Sequence, residues 1–199
     1  MIVADGGSVD GTAELAEPLV DRVIHCRRGR ALQMNAGASW CHGNVIWFLH
    51  ADTRPPEDAV ALATRAIARG ADWGWFDLRI SGQHIGFRTI ERLMNLRARM
   101  SGVATGDQAL FVRRSVFRAV GGFPDVDLME DVAISKRLRA RWPRRTVGAP
   151  VVTSSRRWER DGVVQTILMM WRLRLAYFLG ADPQRLAERY YRGGHMGSR

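Results

Sequence analysis

Residues 44–53 read Asn-Val-Ile-Trp-Phe-Leu-His-Ala-Asp-Thr. The apolar run from Val45 to Leu49, rich in β-branched and aromatic residues, predicts a strand buried on both faces, and His50-Ala51-Asp52-Thr53 predicts the turn at its carboxyl end. Pro55-Pro56 then restarts the chain as a helix reaching about Arg69. A strand with two apolar faces needs cover on both, and helices supply it, so this stretch points to an α/β protein.

Working outward, the same alternation continues. Ile2 to Ala4 reads as the end of a strand, Asp5-Gly6-Gly7-Ser8 as a turn and 12–20 as a helix; a strand over 23–26 and a small-residue helix over 31–40 follow. Downstream, the pattern predicts a strand over 73–80, a helix over 85–100, a strand over 108–112 and a short helix over 114–120 ended by Gly121-Gly122. A helix over 130–142 stops at Pro143, short strands surround Val147 and Val151-Val152, and helices cover 162–179 and 183–191. Together these predict a mostly parallel central sheet with flanking helices. The opening strand is met so close to Met1 that the first strand of such a fold is expected to be missing. Residues 1–192 are read as one N-terminally truncated domain, with 193–199 as a flexible tail.

Composition narrows the class. With 46% hydrophobic and 25% charged residues the chain can build a core, which argues against disorder. The net charge is +10, and every one of the 30 basic residues except Lys136 is Arg. The planar guanidinium fork suits phosphate, so a diphosphate, an anionic membrane or nucleic acid are the partners to weigh. No nucleic-acid motif accompanies the basic cluster at Arg137, Arg139, Arg141, Arg144 and Arg145, so nucleic acid is not expected. Cys26 and Cys41 stand in no metal or redox spacing and suit reduced thiols in a cytoplasmic protein. The apolar stretch 163–179 is broken by Arg172 and Arg174. Two readings of it stay open: a core helix whose Arg stems snorkel, and peripheral contact with the inner face of an anionic membrane.

Four segments can carry chemistry. Asp5-Gly6 follows a strand and precedes a helix, where a carboxylate can accept hydrogen bonds from a nucleotide; Asp10 or Thr12 can equally cap the helix. Asp52 follows the buried strand, and a carboxylate there can hold a divalent cation or simply make a turn. Glu130-Asp131 open a helix, where the macrodipole favours acids and where a general base can also sit. Arg156-Arg157-Trp158 offers guanidinium forks and a flat ring, or a solvated basic loop. Arg30 at a helix start adds a candidate phosphate contact.

In their order, VADGGSVDGT, RGRALQMNAGA, WFLHADT, TGDQALFVRRSVFRAVGGFPD, LMEDVAISKRLR and TSSRRWERDG resemble family-two glycosyltransferases of the GT-A fold, closest to the bacterial radical-SAM/selenodomain-associated subgroup. The resemblance covers nearly the whole chain and implies metal-dependent transfer of a sugar from a nucleotide-diphosphate donor to a hydroxyl acceptor, with inversion. It implies that Asp5, Gly6, Arg30, His50, Asp52 and Asp107 bind the donor and that Asp52 ligates Mg²⁺ or Mn²⁺. Asp131, paired with Glu130, would be the catalytic base, and Gln108, Arg157 and Trp158 would border the acceptor or diphosphate. His50 stands where the family's metal motif has its first Asp, which leaves one carboxylate fewer. Ser154 replaces the Gln expected three residues before Arg157, which argues against processive synthesis. The reduced metal motif keeps a non-catalytic nucleotide-sugar-binding protein as the alternative.

Overall fold

The computed structural model describes residues 1–193, so the tail expected over 193–199 lies outside the described residues except for Gly193. In chain order the elements are β1 (Ile2–Asp5), α1 (Thr12–Ala16), a 3-10 turn (Glu17–Leu19), β2 (Arg22–His25), α2 (Arg30–Ser39), β3 (Val45–Trp47), β4 (Thr53–Arg54), α3 (Ala59–Ala68) and β5 (Trp73–Ile80). They continue as α4 (Ile85–Ser101), a 3-10 turn (Gly106–Gln108), β6 (Phe111–Arg113), α5 (Arg114–Ala119), α6 (Glu130–Arg139), β7 (Arg144–Thr153), α7 (Arg156–Asp161), α8 (Val163–Phe178) and α9 (Pro183–Gly193).

The α/β architecture with flanking helices is as the sequence predicts. The expected mostly parallel sheet is, in its pairing, mixed. Among the described residues β1 and β2 pair in parallel, and a separate five-stranded sheet has the order β3-β6-β5-β7-β4. Within it only β5 and β7 run parallel, while β3–β6, β5–β6 and β4–β7 are antiparallel. Strand–helix alternation suggests crossovers, but β6 enters between β3 and β5 from a turn rather than from a helix. Other boundaries also moved. Pro18 tightens the end of the first helix into a 3-10 turn, Gln108 belongs to a turn rather than a strand, and 156–161 is helical. The two short strands expected near Val147 and Val151 are one strand, β7, whose register slips so that Phe76 faces Val147 and Asp77 faces Pro150. Gly148 and Ala149 form the irregularity that made one strand read as two.

β5 is the spine. Its sequence Trp-Gly-Trp-Phe-Asp-Leu-Arg-Ile is buried at six of eight positions, because β6 and β7 flank it and apolar clusters cover both faces. One face carries Trp73 and Trp75 against Ile46, Phe48, Val112, Phe117, Ile134 and Leu138. The other carries Phe76 and Leu78 against Ala59, Ala63, Ala66 and Ile67 of α3. Burying such side chains contributes about 1.5–3 kcal/mol each, so these faces dominate the stability. Gly74 is required where the strands close in: a Cβ there would lie 2.0 Å from the Arg145 carbonyl oxygen and 2.5 Å from the Phe111 ring.

Beyond Gly74, β6 no longer covers the edge of β5. Side chains of α4 take its place: the Leu78 amide donates to Asn95 Oδ1 (2.8 Å), Asn95 Nδ2 donates to the Leu78 carbonyl (3.0 Å), and the Ile80 amide donates to Glu91 Oε1 (2.6 Å). A buried backbone edge must be satisfied, and these bonds fix α4 to the sheet. Two arginines of the basic cluster are spent similarly, Arg137 on the Val120 carbonyl at the end of α5 and Arg139 on the Ser101 carbonyl at the end of α4. Val103, Leu128, Met129 and Val132 pack with Leu173 of α8 and with Leu186, Ala187 and Tyr190 of α9, which seats the last two helices beside the start of α6.

Candidate functional site

The chain after β3 turns at His50, where the Thr53 amide donates to the His50 carbonyl (3.0 Å). This aims the imidazole at the 3-10 turn, with Nδ1 3.4 Å from Asp107 Oδ1. Gly106 lies under the ring: a Cβ there would be 2.4 Å from His50 Cε1, so only glycine leaves room. The turn is clamped by a capping box in which buried Gln108 accepts from the Thr105 amide (3.1 Å). Gln108 also reaches Asn95 (3.4 Å) and is fully buried, so it shapes the turn and offers no surface to a ligand.

The turn is joined to α6 by one long-range bond. The Gly106 amide donates to Asp131 Oδ2 at 2.9 Å, while Oδ1 accepts from the Val132 amide at 2.7 Å. Asp131 remains partly exposed, but its neighbour Glu130 is 2% exposed. Burial, followed by the charge of Asp131, pushes the Glu130 carboxyl up to about 7, against the pull of Arg30. Burial works against a charged His50, but the bond to Asp107 and its charge outweigh it and raise the imidazole above its ordinary value. Ala109 (φ 48°) and Met129 (φ 68°) are, among the described residues, the non-glycines in the left-handed region. They directly flank the turn and α6, and such strain gathers at functional sites.

α2 brings a cation to this cluster. Gln33 Nε2 donates to the Ala4 carbonyl (2.9 Å) and Asn35 bonds both the carbonyl and the amide of Phe123, so the helix is pinned between β1 and the loop before α6. Arg30 at its start stands 4.0 Å from Glu130 and 5.8 Å over the Tyr190 ring. Arg157 lies over the same ring at 3.9 Å and donates to the Tyr190 hydroxyl. Arg30, His50, Asp107, Glu130, Asp131, Arg157 and Tyr190 therefore belong to one neighbourhood.

The other expected site residues are placed differently. Asp5 is 5% exposed and turns back on its own loop, accepting from the Gly7 amide (3.0 Å) and the Ser8 amide (3.1 Å). The Ser8 side chain and these amides hold it below the usual carboxylate range despite its burial. Gly6 packs against Gln33 of α2, and Asp10 accepts from Thr12 at the start of α1. Asp52 is exposed on the turn two residues past His50 and is engaged in no hydrogen bond among the described residues. Trp158 packs edge-on against Phe87 (6.4 Å) in a small apolar cluster with Ile80 and Ile90 instead of presenting its face to a ligand. Among the described residues no group of three or more His, Cys, Asp or Glu side chains is arranged to hold a metal. Sequence reasoning missed Tyr190, which carried no signal, and Arg97 and Arg174, whose guanidinium nitrogens are partly shut off from water. The signal for Arg174 was its position inside an apolar helix; Arg172, two residues earlier, is exposed as snorkelling predicts.

Residues 1–121 match Glycosyl transferase family 2. Two solved structures share the fold. S. aureus TarS 1-349 superposes with a TM-score of 0.62 at 15% identity over 77% of this chain and 50% of that one. The mannosyltransferase PcManGT from Pyrobaculum calidifontis, solved in complex with GDP-Man and Mn²⁺, gives 0.59 at 19% identity over 94% of this chain and 58% of that one. The chain thus spans little more than half the length of these structures. No curated protein matches the sequence. These matches reach the family but not the radical-SAM-associated subgroup. A family match over more than half of the chain, on an α/β fold shared with known transferases, establishes that the chain belongs to Glycosyl transferase family 2.

Proposed function

We propose that this chain transfers a sugar from a nucleoside-diphosphate donor to an acceptor hydroxyl with inversion, using Asp131 as the base. The observation that carries the reading is the Gly106–Asp131 bond, which fixes a partly exposed carboxylate beside His50 and Asp107. Asp131 takes the role rather than Glu130 because Glu130 is buried and held largely protonated near neutrality. In the reaction the acceptor hydroxyl gives its proton to Asp131 and its oxygen bonds to the anomeric carbon. The bond from that carbon to the diphosphate oxygen breaks, and its electron pair leaves with the diphosphate. Arg30 and Arg157, gathered over Tyr190, supply positive charge for that leaving group. Asp5 acts indirectly in this scheme, by holding the Gly7–Ser8 loop where the nucleotide would lie.

Asp52 fits a divalent cation, because it is exposed and unengaged, and Mg²⁺ or Mn²⁺ is commonly held by one or two carboxylates with phosphates and water completing the shell. Such an ion would offset charge on the departing diphosphate. The GDP-Man and Mn²⁺ complex of PcManGT is consistent with this chemistry.

Asp131→Asn keeps the fold and removes the proton acceptor. Donor turnover, followed as nucleoside diphosphate released from a panel of nucleotide sugars with Mn²⁺, is expected to fall by about 10²–10⁴-fold while donor binding persists. Turnover equal to wild type would remove Asp131 from the mechanism. The lone Asp52 favours a second reading, a nucleotide-sugar-binding protein without catalysis; binding of a donor with no turnover of any panel member would establish it.

Peripheral membrane contact is a further part of the proposal. Val164, Leu168, Trp171, Leu175 and Phe178 form an exposed apolar stripe along α8, with Trp171 73% exposed. No helix among the described residues is long and apolar enough to cross a membrane. Flotation with anionic vesicles, lost in Trp171→Glu, tests the contact.

A further inference from the structure

Two arginines next to the proposed base have no protein partner. Arg97 on α4 is half-buried, and its Nε and one terminal nitrogen are closed to water without a hydrogen bond; Arg174 on α8 is half-buried with its Nε in the same condition. Neither makes a salt bridge or side-chain hydrogen bond among the described residues. The neighbouring cations are accounted for, since Arg30 faces Glu130 and Arg157 faces Asp161 and Tyr190. An unpaired, partly desolvated guanidinium is costly, and folded proteins keep one where an anion completes it.

The two side chains are brought together by packing. Val103, just past α4, packs with Met129 and Val132, which bracket the Glu130–Asp131 pair, and with Leu173, the neighbour of Arg174. Arg97 is held down to about 10 by burial and then by Arg174, with Asp131 the carboxylate that opposes them. Arg174 also acts on Asp107. Two adjacent cations that lack carboxylates suit a doubly charged oxyanion, and phosphate offers enough oxygens for two forks. Both arginines sit on elements that carry none of the residues assigned to the donor.

We propose that Arg97 and Arg174 form a subsite, beside Asp131, for a phosphate group carried by the acceptor. The inference rests on the assignment of Asp131 above and names the acceptor class: a hydroxyl compound bearing a phosphate ester, either soluble or as a lipid headgroup.

The test is calorimetric titration of inorganic phosphate into the full chain, alone and with saturating UDP or GDP, beside flotation on phosphatidylcholine vesicles with and without phosphatidic acid. The expected result is phosphate binding that the nucleotides do not displace and that weakens by about tenfold or more in Arg97→Gln and Arg174→Gln, with Arg97→Lys losing less. Ligand-free Arg97→Gln should melt at or above the wild-type temperature, because an unpaired charge has gone; a merely structural arginine would lower it. Binding only to phosphatidic acid vesicles, with the same dependence on both arginines, assigns the phosphate to a lipid. Phosphate binding that is absent from both probes, indifferent to both substitutions, or displaced by UDP or GDP overturns the subsite. Failure of every nucleotide to bind would instead sink the donor assignment and leave the phosphate result to stand by itself.

Discussion

Asp5 and Asp131 both stand at the rim where a loop meets a regular element, and both accept two backbone amides. Their partners differ in distance along the chain. Asp5 bonds Gly7 and Ser8, so its carboxylate closes its own loop. Asp131 bonds Val132 beside it but also Gly106, 25 residues away, and so ties the start of α6 to the turn under His50. A local bond can form as soon as the loop does, and it stabilises only that loop. A long-range bond exists only in the folded protein, and it sets the position of one element against another. The first acid builds a wall of the site; the second joins its parts.

The contrast is most exposed to attack at Gly106. Gly106→Ala places a Cβ where the His50 ring lies, forcing the turn or the ring to shift. Misplacement by about 1 Å can cost about 100-fold in rate, so turnover should collapse while donor KM changes little. Wild-type turnover in this variant would show that the junction is not part of the machinery.

Glu130 sharpens the comparison through pH. Its carboxyl is raised from 4.5 to about 7, so the folded state binds the proton more tightly than the unfolded state between those values. Stability is therefore full below about pH 4.5 and declines as pH rises through about 7, by roughly 3 kcal/mol at most. Chemical denaturation of Glu130→Gln should lack this decline and exceed wild type at pH 8; parallel pH profiles would mean that Glu130 is not held protonated.

Asp5 should give the smallest and most local response. Its carboxyl is held low, so its contribution is present at neutral pH and is lost as pH falls below the ordinary Asp value of about 3.9. Asp5→Asn should lower the melting temperature modestly at pH 7 and speed proteolysis within residues 6–11. The gap from wild type should close in acid. A loss of fold in Asp5→Asn would make its role as global as that of Asp131.

Much of this was legible in the sequence because the signals were local. The run 73–80 is too uniformly apolar for a surface strand, and its boundaries match β5. Gly121-Gly122 ends α5, and Pro143 follows α6 closely. Where a local pattern was ambiguous, the reading failed. Gln108 sits beside apolar residues and reads as strand, but its amide closes a turn. Trp158 beside Arg157 reads as a sugar platform, but it fills a gap under Phe87. Tyr190, which gathers two arginines, has nothing in its neighbourhood to mark it.

By itself, then, the order of residues determined which segments are strands and helices and where acids and glycines meet their ends, because hydrophobic period, proline and capping act over a few residues. Tertiary structure alone decided that β6 inserts antiparallel beside β5, that Gly106 meets Asp131, and that Arg97 and Arg174 face each other without a carboxylate between them. Such contacts depend on how whole elements pack, and no short window of sequence carries that geometry.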